Sequence, residues 1–225
     1  MDKKIGNSGA KFSTKTLVIM GMLSAIAFVA KLISNIFPMV AGFLSFDLKD
    51  VIIVIGGFMA GPVTAVMISI VVSLVEMVTI STTGPIGFVM NVLASCSFAV
   101  VASVIYHKNR KMSGAIIGLI AGVLTMTGVM LLWNWLITPI YMGVPREVVE
   151  GMLLPTFLPF NLLKGGMNAA LAMLLYKPVV TALRRAHLIE EGSESKGTTK
   201  WGVIAVSLIL LVTFILLGLV MAGTI

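Results

Sequence analysis

Long apolar stretches separated by short polar segments constrain this chain more than any other feature of its sequence. Most of them approach the ~20 helical residues that cross a hydrocarbon core of ~30 Å. Because 58% of the residues are hydrophobic and only 11% are charged, the chain has too little charge to build the surface of a soluble domain. The sequence therefore predicts an all-α, polytopic transmembrane helical bundle. The predicted spans are 16–35, 47–60, 62–80, 85–106, 113–138, 156–183 and 202–223.

The basic residues predict how these spans are oriented. Lys and Arg cluster before the first span, after the fourth and after the sixth, and cytoplasmic loops carry such an excess. All three clusters fall on one side only if residues 47–80 form two spans separated at Gly61-Pro62, rather than one broken helix. We therefore expect a multi-pass protein of the cell membrane with a cytoplasmic N-terminus. The net charge of +7 is then a topology signal and does not indicate nucleic-acid binding.

A charged segment late in the chain suggests three parts. Residues 188–201 have the composition of a flexible cytoplasmic linker. We expect a six-helix substrate-binding membrane domain at 1–187, this linker, and an additional C-terminal transmembrane helix at 202–225.

Polar side chains inside a span are costly, so each one is a candidate functional residue. With the predicted topology they all lie in the outer half of the membrane, and the inner halves are apolar or small. A proton or ion pathway would instead place ionisable groups through the full thickness. The pattern favours a polar pocket that captures a small molecule from outside. The residues are Lys31, Asp47, Lys49, Asp50, Glu76, Asn91, Asn134, Asn161, Lys164 and Asn168.

The sixth span carries the most specific pattern. Asn161, Lys164 and Asn168 follow i, i+3, i+7 spacing and so share one helix face. Amides donate and accept hydrogen bonds, and an ammonium group donates to carbonyl or ring-nitrogen acceptors. The alternative is that Lys164 pairs with Glu76 or Asp50 and that the amides hold helices together.

Three other features have two interpretations each. Asp47 and Asp50 either cap the second helix or contact the ligand, and one residue can do both. The apolar loop 35–46 is either a lid over a ligand or a segment at the lipid headgroups. Trp133, beside Asn134, either stacks on an aromatic ligand or belongs to an interfacial aromatic belt.

The sequence lacks the motifs of common catalytic sites. It has no P-loop, no H-E-x-x-H and no G-x-S-x-G, and His107 and His187 lie at cytoplasmic span ends. We expect no enzymatic activity, no metal site and no cofactor. An importer without its own ATPase or ion pathway needs partner subunits to supply energy.

The order of motifs resembles the substrate-binding S component of energy-coupling factor (ECF) vitamin transporters. These motifs are FDLKD at 46–50, GFMAGP at 57–62, GPIG at 84–87 and NVLA at 91–94. The segments WNWLITPIY at 133–141 and PFNLLK at 159–164 are most similar to the riboflavin-specific members. The usual number of spans in this family is six, so the seventh is a departure.

The resemblance implies a function. The chain would bind riboflavin from outside with high affinity and deliver it to the cytoplasm, together with a transmembrane T component and two cytoplasmic ATPases. Asn134, Asn161 and Lys164 would bond to the polar edge of the isoalloxazine ring. With the residues chosen by depth or position, the candidate substrate-binding set is Asn134, Asn161, Lys164, Asp47, Asn91, Asn168, Trp133 and Glu76.

The resemblance also implies a docking face for the T component on the first helix. Its small residues permit close helix approach, and the candidates are Gly21, Ser24, Ala25 and Ala27.

Other functions stay open at this point. FMN or another vitamin is one alternative, but a phosphate needs cations near the pocket mouth, where the sequence offers Lys31, Lys49 and Arg146. A stand-alone proton-coupled carrier and a membrane enzyme are the others.

Overall fold

The computed structural model describes residues 14–185 and 201–224, and all the named secondary-structure elements within these ranges are helical. The all-α bundle is thus confirmed. The elements are α1 (Thr14–Ser34), α2 (Lys49–Ala60), α3 (Pro62–Thr79), α4 (Gly84–Lys108), α5 (Met112–Met142), α6 (Arg146–Met152), a π-helical turn (Leu153–Phe157), α7 (Leu158–Arg185) and α8 (Trp201–Met221). The basic N-terminus before Thr14 and the predicted linker, apart from Trp201, lie outside the described residues.

Five helices, α1, α3, α4, α5 and α8, are long and apolar enough to cross a membrane. The other two predicted spans correspond to α2, which has 12 residues, and to α7, whose first half carries the polar residues Asn161, Lys164 and Asn168. The chain is therefore a multi-pass membrane protein.

The predicted break between the second and third spans is present at Gly61. This glycine has φ 100° and ψ 167°, a conformation that glycine adopts at little cost because it has no Cβ. Pro62 follows at the first position of α3, where its missing N–H costs no helical hydrogen bond. The pair Gly61-Pro62 therefore ends one helix and starts the next.

The short helix α2 lies in the centre of the bundle. It packs against α1, α3, α4 and α7, and ten of its residues, from Lys49 to Phe58, are buried. A helix that is apolar on nearly all sides is stable only when it is surrounded in this way. Its first turn brings Lys49 and Asp50 into the interior.

The segment between α5 and α7 differs from the prediction. Helix α5 continues through Pro139 to Met142, and α6 and the π-helical turn follow before α7. Pro155 and Pro159 lack N–H donors, so the α-helical hydrogen-bond pattern cannot run unbroken through them. The π-helical turn lets the chain enter α7 with Asn161 in the first turns, and such turns are frequent at functional sites.

The loop between α1 and α2, residues 35–48, is folded back on itself and is called the α1–α2 loop below. Val40 and Leu44 pair as an isolated antiparallel bridge, and the turn between them has positive φ at Ala41 and Gly42. At the end of the loop, the N–H of Leu48 donates to Ser34 Oγ at 2.8 Å. The loop is thereby tied to the end of α1.

Candidate functional site

A cavity lies between the α1–α2 loop and helices α4, α5 and α7. It contains about 520 Å³ of space between atoms, part of which is open solvent. Its walls combine aromatic and aliphatic groups with amides and charges. The lining residues are Phe43, Leu44, Ser45, Asp47, Met90, Asn91, Ala94, Met130, Asn134, Phe160, Asn161 and Lys164.

Lys164 is the cation of this cavity that is available to a ligand. Its side chain is only half-buried and makes no hydrogen bond or salt bridge within the described ranges 14–185 and 201–224. Asp47 and Asp50 lie within its electrostatic reach. The alternative pairing of Lys164 with Glu76 or Asp50 is therefore not found as a contact. The ammonium group can donate to an acceptor placed in the cavity.

Two amides beside Lys164 are each fixed by their own helix. Asn134 Nδ2 donates to the carbonyl of Met130 at 2.8 Å, and its Oδ1 accepts from Thr138 Oγ1 at 2.9 Å. Asn161 Nδ2 donates to the carbonyl of Phe157 at 2.8 Å. An amide has two N–H donors and an oxygen acceptor with two lone pairs, so each keeps hydrogen-bonding capacity. The orientation of both amides is set before a ligand arrives.

Asn91 is hydrogen-bonded to a residue of α3. Its Nδ2 donates to Glu76 Oε2 at 3.0 Å. This bond occupies one N–H of the amide and leaves its other N–H and its oxygen with hydrogen-bonding capacity. Asn91 thus connects the cavity to a group of charges beneath it.

Those charges form the ion-pair cluster, defined here as Lys31, Asp47, Lys49 and Glu76. Lys49 Nζ donates to both carboxylate oxygens of Glu76 at 2.7 Å and lies 3.1 Å from Asp47 Oδ2. Lys31 Nζ lies 3.8 Å from Asp47 Oδ2. Lys49, Asp47 and Glu76 are all 2% exposed or less. Buried charges are tolerated when they are paired and hydrogen-bonded in this way.

Asp47 belongs to both the cluster and the cavity wall. Its Oδ1 accepts the N–H of Lys49, the first residue of α2, at 3.2 Å, so it satisfies a free donor at the helix start. Its backbone carbonyl accepts from Asn168 Nδ2 at 2.8 Å. Asp50, by contrast, accepts from Ser95 Oγ and lines no part of the cavity. The structural interpretation of Asp47 is therefore supported, its contact with a ligand stays a prediction, and the geometry of Asp50 supports a structural role.

The structure brings five of the eight candidate substrate-binding residues to the cavity: Asp47, Asn91, Asn134, Asn161 and Lys164. The other three do not line it, and their part in binding stays a prediction. Glu76 is occupied by Lys49 and Asn91, and Asn168 is fully buried against the backbone of Asp47. Trp133 packs against the main apolar core. Glu76 and Trp133 were chosen for depth or sequence position, which does not determine the direction of a side chain. Asn168 was chosen because it shares a helix face with Asn161 and Lys164, but its amide bonds to the loop backbone instead.

Several lining residues were not predicted individually. Met90 and Ala94 flank Asn91 on the inward face of α4, Met130 lies one turn before Asn134, and Phe160 precedes Asn161. The i±4 spacing to a predicted polar residue is the sequence signal for Met130, because such positions share a helix face. Phe43, Leu44 and Ser45 belong to the segment 35–46. Their position in the cavity wall supports the interpretation of this segment as a lid.

The predicted docking residues on α1 are divided between two faces. Gly21 and Ala25 are exposed, whereas Ser24 and Ala27 are 7% and 0% exposed. Ser24 Oγ donates to the carbonyl of Met20, inside the bundle. Of the four predicted docking residues, Gly21 and Ala25 are thus on the exposed face of α1, and Ser24 and Ala27 are inside the bundle.

No group of three or more His, Cys, Asp or Glu side chains within residues 14–185 and 201–224 is placed to hold a metal ion. The chemistry of the cavity is that of hydrogen bonding and apolar packing. This lining is complementary to a ligand that has a polar edge and an apolar body.

Comparison with known proteins agrees with this geometry. The family model "ECF transporter, substrate-specific component" matches residues 15–176. The riboflavin transporter RibU of Staphylococcus aureus (strain TCH60) is 30% identical over 177 residues, covering 76% of this chain and 93% of the relative. The riboflavin transporter FmnP of Bacillus subtilis (strain 168) is 27% identical over 186 residues, covering 77% of this chain and 98% of the relative.

A solved structure of the S component of a bacterial ECF transporter also aligns with this chain. The TM-score is 0.65 at 32% sequence identity, and the alignment covers 76% of this chain and 98% of the other. Helix α8 lies beyond residue 176, where the family match ends.

Proposed function

The chain belongs to the family of substrate-specific components of ECF transporters, and from this premise we propose that its cavity binds riboflavin for import. Members of this family are transporter components and not enzymes. Two relatives named as riboflavin transporters, 30% and 27% identical to this chain, support the choice of ligand.

One observation carries the proposal: Lys164, without a partner in the described residues, shares a cavity with Asn134, Asn161 and Asn91. The polar edge of an isoalloxazine ring alternates carbonyl and ring-nitrogen acceptors with an N–H donor. An ammonium group and three amides supply the complementary donors and acceptors. The apolar body of the ring would lie between Phe160, Met130 and the α1–α2 loop, as in sites where a few polar groups fix the orientation of a mostly buried ligand.

FMN is the less suitable flavin on this geometry. Lys31 and Lys49 are engaged with Asp47 and Glu76, and the Arg146 guanidinium lies 4.9 Å from the ring centroid of Trp135. A phosphate would have to break these contacts or remain unpaired. Riboflavin has no phosphate and therefore needs no additional cation.

We place the cavity at the outer side of the cell membrane, with the N-terminus in the cytoplasm, because the basic clusters then all face inward. From there the chain would deliver riboflavin as part of a complex with a transmembrane T component and two cytoplasmic ATPases. Gly21 and Ala25 on the exposed face of α1 would allow the T component to approach closely.

Titration of the purified full-length protein in detergent tests the ligand. Riboflavin should quench the intrinsic Trp fluorescence saturably at about one equivalent, and FMN should bind at least about tenfold more weakly, since an unpaired phosphate costs more than ~1.4 kcal/mol. Tighter binding of FMN, or no response to riboflavin, would show that the ligand is wrong.

Uptake measurements separate the complex from a stand-alone carrier. In cells, riboflavin uptake should stop when a partner ATPase is inactivated and should survive collapse of the proton gradient. The reverse pattern would favour a proton-coupled carrier and refute the ECF mechanism for this chain.

A further inference from the structure

Helix α8 lies outside the matched family segment, and it packs against two elements of the binding site. Leu211, Phe214 and Ile215 contact an apolar cluster that α7 and the α1–α2 loop form together. The opposite side of α8 is exposed along its length, as expected for a helix that faces lipid. The helix thus has one defined inner face.

Two ring-and-glycine contacts fix this inner face. The ring of Phe214 lies over Gly166 of α7, where an added Cβ would be 2.6 Å from the ring. The ring of Phe46, in the α1–α2 loop, lies over Gly218 of α8, where an added Cβ would be 2.9 Å from the ring. Both glycines therefore leave room for an aromatic ring that a larger residue would displace.

Phe46 connects this contact to the cavity. It is buried between Phe37, at a ring distance of 6.2 Å, and Phe160, at 5.2 Å. Its neighbours Ser45 and Asp47 line the cavity. One face of the same loop thus forms the cavity wall, and the other face rests on α8.

The loop is attached to the bundle at several points. Leu48 is bonded to Ser34 and the carbonyl of Asp47 to Asn168, and the ring of Phe43 lies 6.0 Å from that of Phe157. Val40 and Leu44 bond to each other and belong to the same apolar cluster as Phe46. The contact of Phe46 with Gly218 ties this loop to α8.

We propose that α8 clamps the α1–α2 loop over the cavity and slows ligand exchange. Phe214 and Gly218 act as positioning residues: Phe214 seats α8 on Gly166 of α7, Gly218 receives the ring of Phe46, and Phe46 holds the cavity-lining segment closed. The identity of the ligand, riboflavin, rests on the proposed function, but the clamp itself rests on the packing of α8.

The kinetics of riboflavin release from the full-length protein test the clamp. Phe214→Ala should raise the release rate constant about tenfold, equivalent to ~1.4 kcal/mol, with a smaller change in the association rate constant, because the loop opens more easily while the polar contacts remain. Gly218→Ala should shift release in the same direction, since its methyl group displaces the Phe46 ring. Leu216→Ala, on the exposed face of the same helix, is the matched control and should release at the wild-type rate.

Equal release rates in wild type, Phe214→Ala and Gly218→Ala would overturn the proposal, and so would an equal increase in Leu216→Ala. Hydrogen exchange of the ligand-free protein gives a second readout that does not depend on riboflavin. Backbone amides of residues 40–48 should exchange faster in Phe214→Ala than in Leu216→Ala. If the wild type fails to bind riboflavin, the proposed ligand is wrong, and unchanged exchange in Phe214→Ala would then refute the clamp separately.

Discussion

Two groups of polar residues lie side by side in this protein and differ in one respect. In the ion-pair cluster every charge has a partner: Lys49 bridges Glu76 and Asp47, and Lys31 approaches Asp47. In the cavity wall, Lys164 makes no hydrogen bond or salt bridge among the described residues, and Asn161 keeps unused hydrogen-bonding capacity. Lys49 and Lys164 carry the same ammonium group. That of Lys49 is paired with carboxylates of the cluster, whereas that of Lys164 is available to a ligand.

This difference suggests a structural role for the ion-pair cluster and a binding role for the cavity wall. Saturated buried charges leave nothing for a ligand to bond, but they are costly to disrupt because removal of one leaves another unpaired in a dry interior. Polar groups of the cavity wall that lack hydrogen-bond partners lower the stability of the ligand-free protein. Binding of a complementary ligand raises this stability again. We therefore expect changes in the cluster to lower stability and changes in the wall to lower affinity.

The largest loss of stability is expected for Lys49→Met. Both carboxylates of Asp47 and Glu76 would lose their nearest cation, and breaking a buried pair costs ~3–5 kcal/mol. The apparent unfolding temperature of the ligand-free protein, measured in detergent, should fall clearly.

A double variant sharpens this test. Adding Glu76→Gln to Lys49→Met removes one of the two carboxylate charges left without Lys49. The unfolding temperature of the double variant should therefore be higher than that of Lys49→Met alone. No recovery in the double variant would contradict the assignment of Glu76 as the main partner of Lys49.

Lys164→Ala should act on affinity instead. A hydrogen bond to a charged group contributes ~1.5–3 kcal/mol, so riboflavin should bind about 10- to 100-fold more weakly. The unfolding temperature of the ligand-free protein should fall less than in Lys49→Met, because Lys164 makes no direct hydrogen bond or salt bridge among the described residues and loses only its longer-range attraction to Asp47 and Asp50. Lys108→Ala, at an exposed position at the end of α4, is the control, and a loss of stability in Lys164→Ala as large as that in Lys49→Met would contradict the comparison.

Asn161→Ala should have a smaller effect on affinity. A neutral hydrogen bond contributes ~0.5–1.5 kcal/mol, so binding should weaken about two- to tenfold. The measurement is the same titration, with the exposed Asn109→Ala as control. An effect larger than that of Lys164→Ala would reverse the ranking and point to Asn161 as the main polar contact.

Lys31→Met should have the smallest effect. Its ammonium lies 3.8 Å from Asp47 and the side chain is 12% exposed, and Asp47 keeps Lys49 as a closer partner. The loss of stability should be below ~1 kcal/mol, as for weak or partly solvated pairs. A fall in unfolding temperature as large as that of Lys49→Met would show that the cluster is not centred on Lys49.

The sequence predicted some of these features because they depend on local chemistry or depth. The pair Gly61-Pro62 favours a helix break on local grounds, and polar residues within spans mostly face the bundle interior, so those at matching depth lie near one another. The choice of Lys49 rather than Lys164 as the partner of Glu76 was not predictable, since it depends on helix rotation. The inward direction of Ser24 and Ala27 was missed for the same reason: α1 is apolar on all faces, so its sequence does not mark the buried side.

The most direct test of the account is an experimental structure of the protein with riboflavin bound. The polar edge of the isoalloxazine ring should lie at hydrogen-bond distance, ~2.7–3.2 Å, from Lys164 Nζ and the amide of Asn161, and Lys49 should remain bonded to Glu76. A ring that contacts Lys49 instead, or that lies outside the cavity between the α1–α2 loop and helices α4, α5 and α7, would contradict the division between the supporting cluster and the binding wall.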